Sequence, residues 1–177
     1  MNSSEQEKLN RYFSTTWLER DRSLDKYTYT GWALVGQVKP GETVLDVGCG
    51  SNPFKDRLDV TGIDPANPKA DYQVSIETFQ SEQLFDIAFC LGSINFGSRE
   101  DIRGQIRKVA SHLKPVSRIY WRCNPGLHDH SNSEFESIVV YPWTFKDHDR
   151  LAAENGYRVS QAAWDAGNRI YAVWERG

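Results

Sequence analysis

Short apolar runs bounded by turn residues recur along the chain and predict the strands of a buried sheet. Residues 43–47 and 60–64 are apolar and β-branched, and each run stops at a glycine or a proline. Residues 85–91 are apolar on both faces, as the centre of a parallel sheet requires. Residues 117–123 predict a further strand, and a weaker strand is predicted at 72–75.

The stretches between and after these runs predict two helices and a closing hairpin. Residues 98–101 have the form of a capping box, and an apolar stripe at helical spacing follows them. This stripe consists of Ile102, Ile106, Val109 and Leu113. A second helix is predicted at 144–155, and alternating residues around a turn at 165–168 predict a β-hairpin. Strands that alternate with helices predict an α/β domain of three layers, with ligands at the carboxyl ends of the strands.

The first 40 residues differ from the rest because they are both charged and rich in aromatic side chains. They predict one or two helices that end at the turn formed by Pro40 and Gly41. The chain therefore divides into an N-terminal helical segment, residues 1–40, and a larger α/β domain, residues 41–177.

Length and charge narrow the classes of function. A chain of 177 residues fits one ordered domain. Its 21 basic and 24 acidic residues give a net charge of -3, so the chain as a whole does not attract nucleic acid or an anionic membrane. Nucleic acid is therefore an unlikely partner, although a local basic patch remains open.

The cysteines and the N-terminus predict a cytoplasmic protein. Cys49, Cys90 and Cys123 are odd in number and far apart, which favours free thiols over disulfides. No Cys or His spacing fits a zinc site, so no metal is expected. The N-terminus lacks the apolar core of a signal peptide, and no apolar run approaches the ~18 residues of a membrane span.

The sequence VLDVGCG, residues 44–50, carries the strongest chemical signal. A predicted strand ends in Asp46, and Gly48 and Gly50 follow, which allow a ligand to approach the backbone closely. The carboxylate of Asp46 suits a ligand with an ammonium group. Asp64 ends the next predicted strand, where a carboxylate can accept hydrogen bonds from both hydroxyls of a ribose.

These motifs resemble those of the class I S-adenosylmethionine-dependent methyltransferases. VLDVGCG is similar to the first motif of that family, GIDP to its acidic second motif, and FDIAFCLGS to its fourth-strand motif. VASHLKPVSRIYW resembles the helix-to-fifth-strand segment, and the closing hairpin resembles the antiparallel seventh strand. The resemblance covers about residues 40–176 in order. It implies a three-layer Rossmann-like fold, mostly parallel with a C-terminal antiparallel hairpin, and methyl transfer from S-adenosylmethionine.

The resemblance also implies which residues bind the cofactor. Asp46 and the glycines would hold its methionine end, Asp64 its ribose, and Ser75 or Ile76 the edge of its adenine. The implied cofactor-binding residues are Asp46, Gly48, Cys49, Gly50, Asp64, Pro65, Ser75, Ile76 and Leu91.

The chain departs from the family pattern at two places. Asn52 stands where the family often has a third glycine, and asparagine tolerates the left-handed region better than most residues. The connection between Asp64 and Tyr72 is too short for a crossover helix, which predicts a reduced helix set. The N-terminal segment or a second subunit would then cover that face, so a homodimer is possible. A dinucleotide-binding motif is disfavoured because Pro53 occupies its third glycine position.

The acceptor and the catalytic base are less visible in the sequence. The family commonly closes its site with an N-terminal lid, for which the candidates are Tyr12, Trp17, Tyr27 and Tyr29. Candidate substrate contacts are Tyr29, Asn95, Arg122 and Asn124, and the last two are placed to meet an anionic group. Candidate general bases are His128 and His130, with His148 as a third; each of them is also explained as a residue without a catalytic role.

The prediction from the sequence is therefore a methyltransferase acting on the oxygen or nitrogen of a small polar acceptor. The alternative is an inactive protein of the same fold that serves as a binding partner or scaffold. The intact set of Asp46, Gly48, Gly50 and Asp64 favours the enzyme, because a scaffold needs none of these residues.

Overall fold

The sheet has six strands and is parallel except at one strand. A computed structural model describes residues 2–16, 23–126 and 138–177. The strands are β1 (Val44–Val47), β2 (Val60–Ile63), β3 (Phe85–Leu91), β4 (Leu113–Cys123), β5 (Arg158–Asp165) and β6 (Arg169–Arg176). They lie in the order β2-β1-β3-β4-β6-β5. Strands β1 to β4 pair in parallel, and β6 pairs antiparallel with β4 and β5. The predicted parallel sheet with a C-terminal hairpin is confirmed.

Two strand boundaries differ from the prediction. The weaker strand at 72–75 is reduced to one bridge between Tyr72 and Ile63. Strand β4 begins at Leu113, which was assigned to the preceding helix. Pro115 has no N–H for the ladder, and the pairing of β4 with β3 shifts register beside it. The proline thus interrupts the strand without ending it.

Helices cover one face of the sheet. The structure has α1 (Ser3–Ser14), α2 (Arg99–Ser111) and α3 (Phe145–Glu154), and each begins with a capping box. Helices α2 and α3 bury Ile102, Ile106 and Leu151 against the sheet. None of the described helices has the length and apolar character that crossing a bilayer requires.

The opposite face is covered without an α-helix. A 3₁₀ helix, Gly31–Gln37, places Leu34 on the sheet, and a turn between β1 and β2 places Phe54 beside it. Both side chains are almost fully buried against Val44 and Phe89. In the described chain, residues 48–59 and 64–84 contain turns and no helix, as the reduced helix set predicts. The sequence left two alternatives for covering this face, the N-terminal segment or a second subunit. In the structure, the N-terminal segment covers it.

A buried carboxylate ties this N-terminal segment to the closing hairpin. Asp165 ends β5 and is 5% exposed. It accepts hydrogen bonds from the Thr28 N–H at 2.9 Å, the Tyr29 N–H at 3.4 Å and the Thr30 hydroxyl at 2.5 Å. Burial alone would raise the pKa of Asp165, but these hydrogen bonds outweigh it and the pKa is lowered. Asp165 is thus a stable, ionised anchor.

Candidate functional site

The carboxyl ends of the parallel strands open into a cavity of about 700 Å³. This volume lies in the range of small-molecule sites. Strands β1 and β2 lie on one side of β3, and β4 lies on its other side. The cavity therefore has two ends. The glycine-turn end is lined by Asp46, Gly48, Gly50 and Asp64. The hairpin end is lined by Tyr27, Arg122, Ala166, Gly167 and Arg169.

The turn after β1 needs residues that tolerate positive φ. Gly48, Gly50 and Asn52 have φ of 72°, 56° and 56°. A Cβ on Gly48 would lie 2.3 Å from the Cβ of Ser93, so only glycine lets the loops after β1 and β3 approach. A Cβ on Gly50 would meet nothing within 4 Å, because this residue faces the open cavity. Asn52 adopts the left-handed conformation that the sequence analysis allowed for it.

Asp46 is a buried carboxylate that faces the cavity. It is 3% exposed, and within the described chain no hydrogen bond or ion pair reaches its side chain. Burial raises the pKa of Asp46 to about 7, and the nearby charge of Asp64 adds to the effect. A cation bound beside this carboxylate would relieve both costs.

Asp64 joins the glycine turn to the loop after β2. One carboxylate oxygen accepts the Gly50 N–H at 3.0 Å, and the other accepts those of Ala66 at 2.8 Å and Asn67 at 3.0 Å. A carboxylate has about four acceptor sites, so these bonds leave capacity for a further donor. The neighbouring Pro65 also lines the cavity.

The remaining predicted cofactor residues also lie in the wall of the cavity. Ser75 and Ile76 line it at the loop after β2, Leu91 at the end of β3, and Cys49 within the glycine turn. Burial raises the pKa of the Cys49 thiol, so it stays protonated and acts as a packing group.

Two lining residues with buried polar atoms that lack a partner in the described chain had no role assigned from the sequence. Gln105 of α2 donates a hydrogen bond to Glu77 at 2.7 Å, while its own oxygen is buried without a partner in the described chain. The hydroxyl of Ser93 is buried without a partner as well. A polar residue inside the apolar stripe of α2, next to Ile106, was a signal for Gln105. Ser93 is the last residue of the fourth-strand motif FDIAFCLGS, but no role was assigned to it.

The N-terminal segment forms one wall of the cavity. Helix α1 contributes Leu9 and Phe13, and the segment after it contributes Tyr27 and Trp32. Tyr12 packs into a separate apolar cluster, and Tyr29 stacks on Tyr171 at 5.0 Å. Of the predicted lid residues that are described, Tyr27 therefore lines the cavity; Trp17 lies outside the described residues.

The predicted substrate residues have different surroundings. Arg122 and Asn95 line the cavity. The Asn95 amide donates to the Gly92 carbonyl at 2.8 Å and accepts the Asn124 N–H at 2.9 Å, so it joins the loops after β3 and β4. Asn124 is 2% exposed, and its side-chain oxygen accepts the Gly126 N–H.

His148 is wrong as a candidate base. It is fully buried among Trp121, Trp143 and Trp174, where its Nδ1 accepts a hydrogen bond from the Trp174 indole at 3.2 Å. Burial lowers the pKa of His148 to about 4. His128 and His130 lie outside the described residues.

Comparison with known proteins supports the fold. No family model and no curated protein matches the sequence. Burkholderia thailandensis 1,6-didemethyltoxoflavin-N1-methyltransferase, solved with bound 1,6-didemethyltoxoflavin and S-adenosylhomocysteine, has a TM-score of 0.72 at 14% identity, over 98% of this chain and 89% of that one. Magnesium protoporphyrin IX methyltransferase of Synechocystis, solved with S-adenosylhomocysteine, also has a TM-score of 0.72 at 14% identity, over 98% and 100% of the two chains. A sugar N-methyltransferase from Streptoalloteichus has a TM-score of 0.59 at 15% identity, over 81% and 84%. The predicted Rossmann-like class I methyltransferase fold is confirmed.

Proposed function

We propose that the chain is an S-adenosylmethionine-dependent methyltransferase that transfers a methyl group to the oxygen or nitrogen of a small polar molecule. The observation that carries the proposal is the Asp46 carboxylate, which is buried, faces the cavity and has no partner in the described chain. A folded protein rarely buries a carboxylate without a hydrogen-bond or ion-pair partner unless a ligand supplies that partner. The α-ammonium group of S-adenosylmethionine is a ligand of the required charge.

The other incomplete groups of the cavity fit the same cofactor. The glycine turn, with Gly48, Cys49 and Gly50, would lie along the methionine end, because Gly50 leaves open space there. Asp64 and Pro65 would contact the ribose. Structural neighbours solved with S-adenosylhomocysteine support this assignment.

The adenine would lie against the wall formed by Ser75 and Ile76, with Leu91 beside it. Gln105 closes this wall from α2, and its buried oxygen can accept a hydrogen bond from an exocyclic amine. A purine amine would thus donate a hydrogen bond to the Gln105 oxygen, which has no partner in the described chain.

The cofactor supplies an electrophilic methyl group on a sulfonium, and the chain supplies position. Phe13 on α1 and Tyr27 line the cavity on its N-terminal side, where they would exclude water from the acceptor. The loop after β3, held by Asn95, fixes the wall of the cavity between its two ends. Alignment of two bound reactants alone supplies a large part of such a rate.

Calorimetric titration of S-adenosylmethionine and S-adenosylhomocysteine, with NAD as a control, tests the proposal. We expect micromolar binding of both sulfur ligands and none of NAD. Asp46→Asn should weaken binding at least tenfold, because the interaction with the ammonium loses its charge. Asp149→Asn, an exposed carboxylate on α3, is the matched control and should bind as the original protein does. Absence of binding to folded protein would refute the proposal.

A further inference from the structure

The loop after β3 carries a hydroxyl group that has no partner in the described chain. Ser93 lines the cavity, and its Oγ is buried and makes no hydrogen bond within the described residues. A serine hydroxyl can both donate and accept, and buried hydroxyls normally have a partner. The unused capacity of Ser93 therefore indicates a ligand at this position of the wall.

Hydrogen bonds fix the backbone on both sides of Ser93. The Gly92 carbonyl accepts a hydrogen bond from the side-chain amide of Asn95 at 2.8 Å. The Ile94 carbonyl accepts one from the buried indole of Trp143 at 2.9 Å. The side chain of Ser93 is thus presented to the cavity from a backbone whose neighbouring carbonyls are already occupied.

Ser93 lies at the boundary between the two ends of the cavity. A Cβ on Gly48 would lie 2.3 Å from the Cβ of Ser93 and 3.2 Å from its Oγ, so Ser93 packs directly on the glycine turn. Strand β3, which leads into this loop, lies between β1 and β4 in the sheet. Ser93 therefore stands where the end that we assign to the cofactor meets the rest of the cavity.

The hydroxyl can turn toward the cavity without breaking a hydrogen bond. In its present rotamer the Oγ lies beside Gly48 and is buried, whereas Ser93 as a whole is half-buried. No hydrogen bond of the described chain holds that rotamer, and a serine side chain has three staggered positions about χ1. A ligand that offers a donor would gain a hydrogen bond, and the protein would lose none.

We infer that the Ser93 hydroxyl lies beside the path of the transferred methyl group and accepts a hydrogen bond from the oxygen or nitrogen that receives it. This inference rests on the proposed function, which assigns the glycine-turn end to the cofactor. The hydrogen bond holds the acceptor atom in one orientation, and such alignment supplies a large part of the rate. Ser93 forms no covalent bond and takes up no proton; the proton that the acceptor loses passes to water.

Binding of sinefungin tests the inference without an identified acceptor. In this analogue of the cofactor, a carbon that bears an amine replaces the sulfur and its methyl group. The amine therefore offers hydrogen-bond donors at the position of the methyl group, whereas S-adenosylhomocysteine offers none there. Calorimetry gives both dissociation constants, and their ratio isolates the contact at this position.

Ser93→Ala removes the hydroxyl and keeps the Cβ that packs on Gly48. It should weaken the binding of sinefungin about tenfold, because a hydrogen bond from an ammonium group is lost, and leave that of S-adenosylhomocysteine within about twofold. Ser160→Ala, which removes an exposed serine hydroxyl on β5, is the matched control and should change neither affinity.

The stability of Ser93→Ala provides a second readout. Because the hydroxyl has no partner in the described chain, its removal should leave the midpoint of urea denaturation unchanged or raise it. A lower midpoint would show that the folded protein already uses this hydroxyl, which contradicts the inference.

The outcomes separate the inference from the proposed function. If S-adenosylhomocysteine binds and Ser93→Ala leaves the ratio of the two dissociation constants unchanged, the inference is wrong and the proposed function stands. The same holds if both affinities fall equally, because Ser93 would then support the glycine turn and not the position of the methyl group. If the original protein binds neither ligand, the proposed function fails and the inference fails with it.

Discussion

Asp46, the next-to-last residue of β1, and Asp165, the last residue of β5, lie at the same edge of the sheet and are both at least nine-tenths buried, yet their surroundings are opposite. Asp165 accepts hydrogen bonds from four groups and its pKa is lowered. Asp46 has no partner in the described chain, and burial raises its pKa to about 7. The difference separates a carboxylate that stabilises the fold from one that, as we propose, is completed by a ligand. Four experiments sharpen or break this comparison.

Loss of Asp165 should have the largest effect on stability. Asp165→Ala leaves the N–H groups of Thr28 and Tyr29 and the Thr30 hydroxyl without their acceptor. We expect the free energy of unfolding to fall by about 4 kcal/mol in urea denaturation. Asp149→Ala, an exposed residue, is the control and should change it by less than about 0.5 kcal/mol. A loss at Asp165 no larger than that control would remove its role as an anchor.

His148 should make stability depend on pH in the acidic range. Its pKa is about 4 in the folded protein and 6.5 in the unfolded chain, so the unfolded chain binds an extra proton between these values. The free energy of unfolding should therefore fall by about 3 kcal/mol as the pH falls from 6.5 to 4.

Asp46 contributes to the pH dependence with the opposite sign, because its pKa is raised in the folded protein. Its contribution to the free energy of unfolding therefore rises as the pH falls in this range. The measurement is best made with Asp46→Asn, and His148→Phe in the same background is the control. An equal fall in both proteins would show that His148 is not its source.

Removal of the Asp46 charge should stabilise the protein. Between pH 3.8 and about 7, the folded state holds a proton on Asp46 that the unfolded chain has lost, so stability falls as the pH rises. Asp46→Asn should raise the free energy of unfolding at pH 8 by up to about 4 kcal/mol and change it little at pH 4. Urea denaturation at both pH values measures this. A loss of stability at pH 8 would mean that Asp46 has a structural role like that of Asp165.

Gln105 should have the smallest effect. Gln105→Leu removes the buried oxygen that we assign to the adenine, and we expect the affinity for S-adenosylhomocysteine to fall about fivefold. Gln161→Leu on the exposed edge strand is the matched control for calorimetry. An unchanged affinity in Gln105→Leu would remove Gln105 from the cofactor wall.

The glycine-turn end could be predicted from the sequence because its parts are local. Asp46, Gly48 and Gly50 lie within five positions, and Asp64 ends the next strand along the chain. Parallel strands bring such ends together without further information. Asn52 stands where the resembled family often has a third glycine, and it adopts the left-handed conformation that asparagine tolerates.

The hairpin end could not be predicted in this way because its parts are distant in the sequence. Arg122 meets a carbonyl 44 residues away and the ring of Tyr27 on the N-terminal segment. The hydrogen bonds that set this wall join Asp165 to residues about 135 positions earlier. Such contacts follow from the packing of whole elements, which no local pattern records. His148 was a candidate base for the same reason, since only the assembled core shows its tryptophan neighbours.

The central claim is that Asp46 binds the ammonium group of the cofactor, and titration of its carboxyl group by carbon NMR tests this most directly. The pKa of Asp46 should be about 7 in the free protein. With S-adenosylhomocysteine bound, it should fall by at least about two units, because a cation beside a carboxylate favours the charged form. A pKa of Asp46 that stays near 7 in the saturated complex would contradict the account.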